Sequence, residues 1–414
     1  MPFDAISAAW PLLLGMGVLM LGAGLQSTLL GLRATIEGFP TLVTGVVMSC
    51  YYVGYVIGTK IAPPMLQKIG HIRVFATLAA VASASILVQG CFVNPWTWGA
   101  MRLMSGLCFA GIYIVAESWL NNLASRANRG RLFAVYMLVL YVGLGTAQFL
   151  LLLSNPRSPT PFMLVSVLIA LAMVPIVVSA QRLPAAAVPR KVRVHELYGN
   201  SPLGVVGVTV SGLISAIIFS MGPVYARLSG LDTTNVATFM AVSILAAVAT
   251  QYPVGRLSDR IDRRTVIAGV CTLATLVAGS IVAFPTMPPA VFLALTGLFS
   301  GFALTLYSLC VSHVNDKLEP EQMVAASSAL LLLNGTAAAI GPSLMGGLVT
   351  AFGPPAYFAT LATLTGALAV YDLWRKSRAR PVSLSQKAPF IRAQPRARTV
   401  AMAGGIMSDR ETRL

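Results

Sequence analysis

Two charged residues share one helical stripe in an otherwise apolar stretch. Arg102, Gly106, Phe109, Tyr113 and Glu117 follow one another in steps of three or four residues, the spacing that stacks side chains along one face of an α-helix. A guanidinium at hydrocarbon depth costs about 2.5–3.5 kcal/mol on insertion scales, so it faces a cavity or a partner. Arg102 there binds a solute anion or governs a proton site; the plainer reading is an arginine near the outer interface that snorkels or bonds carbonyls. Glu117 stands fifteen residues further on, about 22 Å at 1.5 Å per residue, so the two cannot form an ion pair and serve opposite ends of the helix.

Glu117 has two readings of its own. It latches to Lys68 or Arg73 and holds one access state closed, or it forms an ordinary interfacial salt bridge worth ~0–1 kcal/mol. Proton carriage would require its burial. Gln26, Gln89, Gln148, Gln251 and Asn334 also fall in apolar stretches, where an unpaired amide is costly. Interhelical bonding is the plainer role for each. If Gln26 and Tyr113 line a path, its wall is neutral and aromatic, which suits an amphipathic or weakly anionic organic solute.

Other chemistries lack their residues. His71, His195 and His313 form no constellation with acids, which argues against an embedded enzyme. The five cysteines all lie in apolar stretches with no Cys-x-x-Cys pair, so neither disulfides nor a metal site is expected. No Gly-x-x-x-x-Gly-Lys-Ser/Thr run exists to hold a nucleotide, and no cofactor is implied.

The elements that must position these residues are membrane spans. Of 414 residues, 56% are hydrophobic and 10% charged, against about 25% charged in a soluble domain. Apolar stretches of about 20 residues recur, predicting spans at 10–32, 41–62, 74–93, 98–120, 132–153, 161–180, 202–225, 233–254, 265–284, 290–312, 327–350 and 357–374. The first reads as a retained span, not a removed signal. Turn-forming clusters such as Asn94-Pro95, Asn155-Pro156 and Gly353-Pro354-Pro355 separate neighbours.

The net charge of +16 needs no nucleic acid. With a cytoplasmic amino terminus, 25 basic residues fall on the cytoplasmic side and three outside, a positive-inside bias that places both termini in the cytoplasm. The polar stretch 181–201 divides the spans six and six, giving bundles at 1–180 and 202–374 and a basic tail at 375–414 that is expected to be disordered and could rest on anionic lipid. The halves rhyme: Gln67-Lys68-Ile69-Gly70-His71-Ile72-Arg73 follows the second span, and Asp259-Arg260-Ile261-Asp262-Arg263-Arg264 the eighth. Such internal repeats mark secondary transporters.

Gly255-Arg256-Leu257-Ser258-Asp259-Arg260-Ile261-Asp262-Arg263-Arg264 resembles the G-x-x-x-D-R-x-G-R-R loop of the major facilitator superfamily, with Asp262 where the family has glycine. The copy beginning at Pro63 has Gln67 in place of the acid but keeps Lys68 and Gly70, and Arg102 to Gly106 resembles the R-x-x-x-G element. The Gly-Pro motif of drug:proton antiporters is missing from Gly143-Leu144-Gly145. Ala116-Glu117-Ser118-Trp119-Leu120 with Arg129-Gly130-Arg131 is similar to the YcaD-like bacterial permeases. The resemblance implies an all-α integral membrane protein of twelve transmembrane helices in two pseudo-symmetric six-helix bundles, sited in a bacterial inner membrane. It implies a monomeric carrier of a small-molecule solute, with or without protons, working by alternating access among membrane lipids. Asp259 and Arg260 would hold the cytoplasmic gate, with Asp316 as a partner and Lys68 as the first-half counterpart. An uncoupled facilitator or solute receptor on the same fold remains the alternative, since no acid lies deep in a span.

Overall fold

The structure, a computed structural model, describes residues 4–124, 128–179, 194–318 and 320–376. Most of the expected linker and nearly all of the basic tail lie outside the described residues. Twelve helices among those described are long and apolar enough to cross a bilayer. They are α1 (Asp4–Ile36), α2 (Thr41–Ile69), α3 (His71–Cys91), α4 (Pro95–Leu123), α5 (Arg129–Thr146), α6 (Thr160–Leu171), α7 (Pro202–Leu228), α8 (Thr233–Arg260), α9 (Arg263–Ala283), α10 (Pro289–Asn315), α11 (Pro320–Phe352) and α12 (Ala356–Lys376). A 3-10 segment, Ala147–Leu153, prolongs α5, and a short helix, Met173–Val178, prolongs α6.

Local chemistry sets the ends. Asn94 accepts from the Trp96 amide to cap α4, Asp232 from the Asn235 amide to cap α8, and prolines occupy the first position of α4, α7 and α10. The helices outrun the apolar stretches that predict them. α2 continues through Pro63 and Pro64 until Gly70, whose φ of 80° ends it, and α8 runs on to Arg260. A helix leaving the hydrocarbon has no reason to stop until its sequence breaks it. Lys68 therefore sits in the last turn of α2, not in a loop, and Arg73 in the first turn of α3.

Gly54 in α2 abuts the Leu103 carbonyl of α4, and Gly106 abuts the Tyr51 carbonyl, so α2 and α4 touch backbone to backbone. The outward faces carry exposed Leu138, Val142, Met163, Val167, Leu171, Leu276 and Val370. An apolar exterior around a packed interior is the pattern of a multi-pass membrane protein. The face holding Gly70 and the two-residue α8–α9 turn is termed here the near face. The opposite, far face holds the turns that precede α2, α4, α8 and α10.

Candidate solute path and near-face latch

Arg102 is 3% exposed, with its guanidinium carbon 4.5 Å from the centroid of the Tyr51 ring, a cation–π contact worth up to about 2 kcal/mol when desolvated. Gly106 makes this possible. A Cβ there would collide with the Tyr51 carbonyl and push α2, with its ring, away from the arginine. Beyond Tyr51 a ladder of rings descends the stripe: Tyr51 to Phe109 at 6.3 Å, Phe109 to Tyr113 at 6.5 Å and Tyr113 to Tyr55 at 6.5 Å. The Tyr113 hydroxyl donates to Met20 Sδ of α1 at 3.3 Å. Glu117 lies below, buried, within electrostatic reach of Tyr55 and Tyr136. The stripe read from the sequence is thus gathered against aromatic residues of α2, and α10 adds Tyr307 beside Tyr55.

The span amides divide by their bonds. Gln89 and Trp98 exchange side-chain-to-carbonyl bonds between α3 and α4, Gln148 donates to Leu144 O and to Gly24 O of α1, Gln251 donates to Ser308 Oγ, and Asn334 to Val208 O. These four are interhelical or local ties. Gln26 differs: its side-chain nitrogen is buried and makes no hydrogen bond among the described residues.

The first six and last six spans meet closely on the far side of this path. Ser343 donates through both its amide, at 3.1 Å, and its hydroxyl, at 2.7 Å, to Ser49 Oγ. Gly45 lies against the Pro342 carbonyl, Gly346 against the Thr41 carbonyl and Gly31 against Ser220 and Pro223. Tyr52 and Ser220 are bonded through their hydroxyls at 3.3 Å. A cavity of about 10 Å³, lined by Tyr51, Tyr52, Tyr55, Ser215 and Asn334, opens just inside this seam, and holds roughly one water molecule.

On the near face Asp259 and Asp316, expected to act with Arg260, pair with a different arginine. Arg263, the first residue of α9, bonds through Nε to Asp316 at 2.7 Å and through a terminal nitrogen to Asp259 at 3.2 Å. Its side chain is 1% exposed and that of Asp316 is 2%. Arg260 is exposed. The sequence does not single out Arg263, because α8 ends at Arg260 and the Ile261-Asp262 turn sets which arginine of the motif swings back to Asp259. Lys68 and Arg73 are likewise exposed, and the structure does not bring either to Glu117. Among the described residues no cluster of three metal-ligating side chains occurs.

Comparison with known proteins agrees with this architecture. A sequence model of the Major Facilitator Superfamily matches residues 12–327 and, again, 204–408. A protein of Escherichia fergusonii named "Uncharacterized MFS-type transporter YcaD" is 28% identical over 329 residues, covering 79% of this chain and 85% of its own. Its namesake in Salmonella arizonae is 28% identical over 330 residues, with the same coverage. Among solved structures, the nucleoside transporter NupG superposes with a TM-score of 0.75 at 13% identity, over 90% of this chain and 100% of that one. A bacterial homolog of the human lysosomal transporter Spinster, inward-facing and occupied, gives 0.70 at 15% identity, over 94% and 99%. With twelve apolar helices among the described residues and a family match across most of its length, the chain belongs to the Major Facilitator Superfamily and is a membrane transporter, not an enzyme.

Proposed function

We propose that the protein is a secondary transporter that moves a small organic solute, amphipathic or weakly anionic, by alternating access between two six-helix bundles. The observation that carries this reading is Arg102: a buried cation stacked on Tyr51, at the head of an aromatic ladder whose Tyr51 and Tyr55 also line the small cavity just inside the far-face seam. A carboxylate or other organic anion supplies the countercharge that a guanidinium at this depth favours, and the rings supply apolar contact for its body. Gln26, Phe109 and Tyr113 complete the wall, and Glu117 stands at its near end as the residue for proton coupling. The excess of basic residues in the loops of one side and in the carboxyl-terminal tail supports a bacterial inner-membrane protein with both ends in the cytoplasm. A carboxyl-terminal tail digestible from outside intact cells would reverse that sidedness.

The test is a thermal-shift screen of the detergent-purified protein against organic anions, run in parallel on Arg102→Ala. A binder at a hundred times its Kd stabilises the wild type by about 2.7 kcal/mol, and the variant is expected to show none of that shift. Equal shifts in both remove Arg102 from the site. Flux of the same solute into proteoliposomes, with and without a proton gradient, then separates a coupled carrier from an uncoupled facilitator. Flux blind to pH selects the second.

A further inference from the structure

The two near-face corners place different residues at one position. α3 and α9 each span 21 residues, and each begins directly after the turn that ends the preceding span. His71 is the first residue of α3 as Arg263 is of α9. Both are buried, and both reach toward the near end of the next span: Arg263 to Asp316, His71 to Ser118. His71 Nε2 lies 2.9 Å from Ser118 Oγ, and its ring meets Trp119 edge-on at 6.4 Å.

The charge environments diverge. Around Arg263 stand Asp259 and Asp316, and Asp262 caps the helix by accepting from the Arg264 amide. In the first corner Gln67 stands where Asp259 does, Gly70 replaces Asp262 without any side-chain cap, and the first turn of α3 holds no acid. The groups facing His71 are Ser118 and Trp119 from α4; Lys68 at the end of α2 and Arg73 in α3 are exposed and carry positive charge. Glu117, one residue before Ser118, is turned about 100° away into the aromatic stripe. A permanent cation suits the second corner. In the first, a proton on the imidazole would place a buried positive charge at the positive end of the α3 dipole, beside two further cations.

We propose that His71 is a proton-dependent positioning residue: neutral, it ties α3 to α4 through Ser118; protonated, it can still donate to Ser118 Oγ, but its buried charge, with no acid in the first turn of α3 to offset it, loosens the near-face corner of the first six spans. Histidine is the side chain whose charge responds most readily to mild acidification. One corner of the transporter is therefore locked by an ion pair, and its repeat holds a buried, titratable imidazole. Acidification would free the end of α4 that bears Glu117. The consequence for transport rests on the proposed function, but the structural claim does not.

The experiment needs no solute. Full-length protein in lipid nanodiscs is compared with His71→Gln, which keeps a neutral hydrogen-bonding side chain, by hydrogen–deuterium exchange at pH 5.5 and pH 8. Residues 66–75 and 112–123 of the wild type are expected to exchange about two- to fivefold faster than the variant at pH 5.5, and equally at pH 8. Gln67→Asp, made with His71 intact, restores the carboxylate that Asp259 supplies in the repeat and should abolish the acid-induced increase. In parallel, the ring signals of protein labelled with carbon-13 histidine are assigned by their loss in His71→Gln and followed from pH 5 to 8. Equal exchange in wild type and variant at pH 5.5, or a His71 ring that does not titrate in that range, overturns the proposal. If His71→Gln does not fold, the Gln67→Asp comparison and the titration in wild type decide it. A failed solute screen leaves this result untouched, and failure here leaves the transport reading standing.

Discussion

At the scale of single residues, the near-face latch turns on which arginine is buried. Arg263 presents a forked guanidinium to two carboxylates, one of them fully buried with it, and removing one member of such a pair strands the other charge, at a cost of about 3–5 kcal/mol. Arg263→Ala is therefore expected to lower the melting temperature of the detergent-purified protein by many degrees, and Asp316→Asn to do the same. Arg260→Ala, at an exposed position, should change it little. A larger effect at Arg260 than at Arg263 would contradict the geometry. The loop motif shows in the sequence, but the choice between its arginines depends on where α8 ends and α9 begins, which composition does not mark. Likewise Arg102 and Tyr113 follow from helical spacing alone, whereas Tyr51, the ring beneath the guanidinium, comes from another helix and is found only once α2 and α4 are packed.

Among the elements, the pairing of α2 with α4 bears most directly on the path. Gly54, Gly58 and Gly106 each lie where a Cβ would meet the other helix's backbone. Gly106→Ala forces the helices apart and draws the Tyr51 ring from Arg102; overpacking of this kind costs about 1–3 kcal/mol. The expected outcome is a lower melting temperature together with loss of any anion-induced stabilisation. An alanine variant that keeps both would show that the close approach is not needed. The existence of all twelve spans was legible because a bilayer demands long apolar runs. Their true lengths were not, since Pro63-Pro64 looks like a break yet lies inside α2; the stop is Gly70, one turn and a half later.

For the molecule as a whole, the proposed alternating access requires the far-face seam to part. Ser49 and Ser343 hydroxyls sit 2.7 Å apart, so a cysteine pair, Ser49→Cys with Ser343→Cys, should oxidise to a bridge that arrests solute flux, with recovery on reduction. Flux undiminished by the bridge would mean that α2 and α11 stay together through the cycle. Each single cysteine variant serves as the control.

That seam brings glycines and hydroxyls into close contact, Gly45 and Gly346 against backbone and Ser49 and Ser220 against Ser343 and Tyr52. Were it to open, each hydroxyl that loses its mate can take a water molecule instead. Such a joint exchanges one set of hydrogen bonds for another as it moves. The binding of one modest solute, or the movement of one ion down its gradient, is on the scale needed to swing it either way.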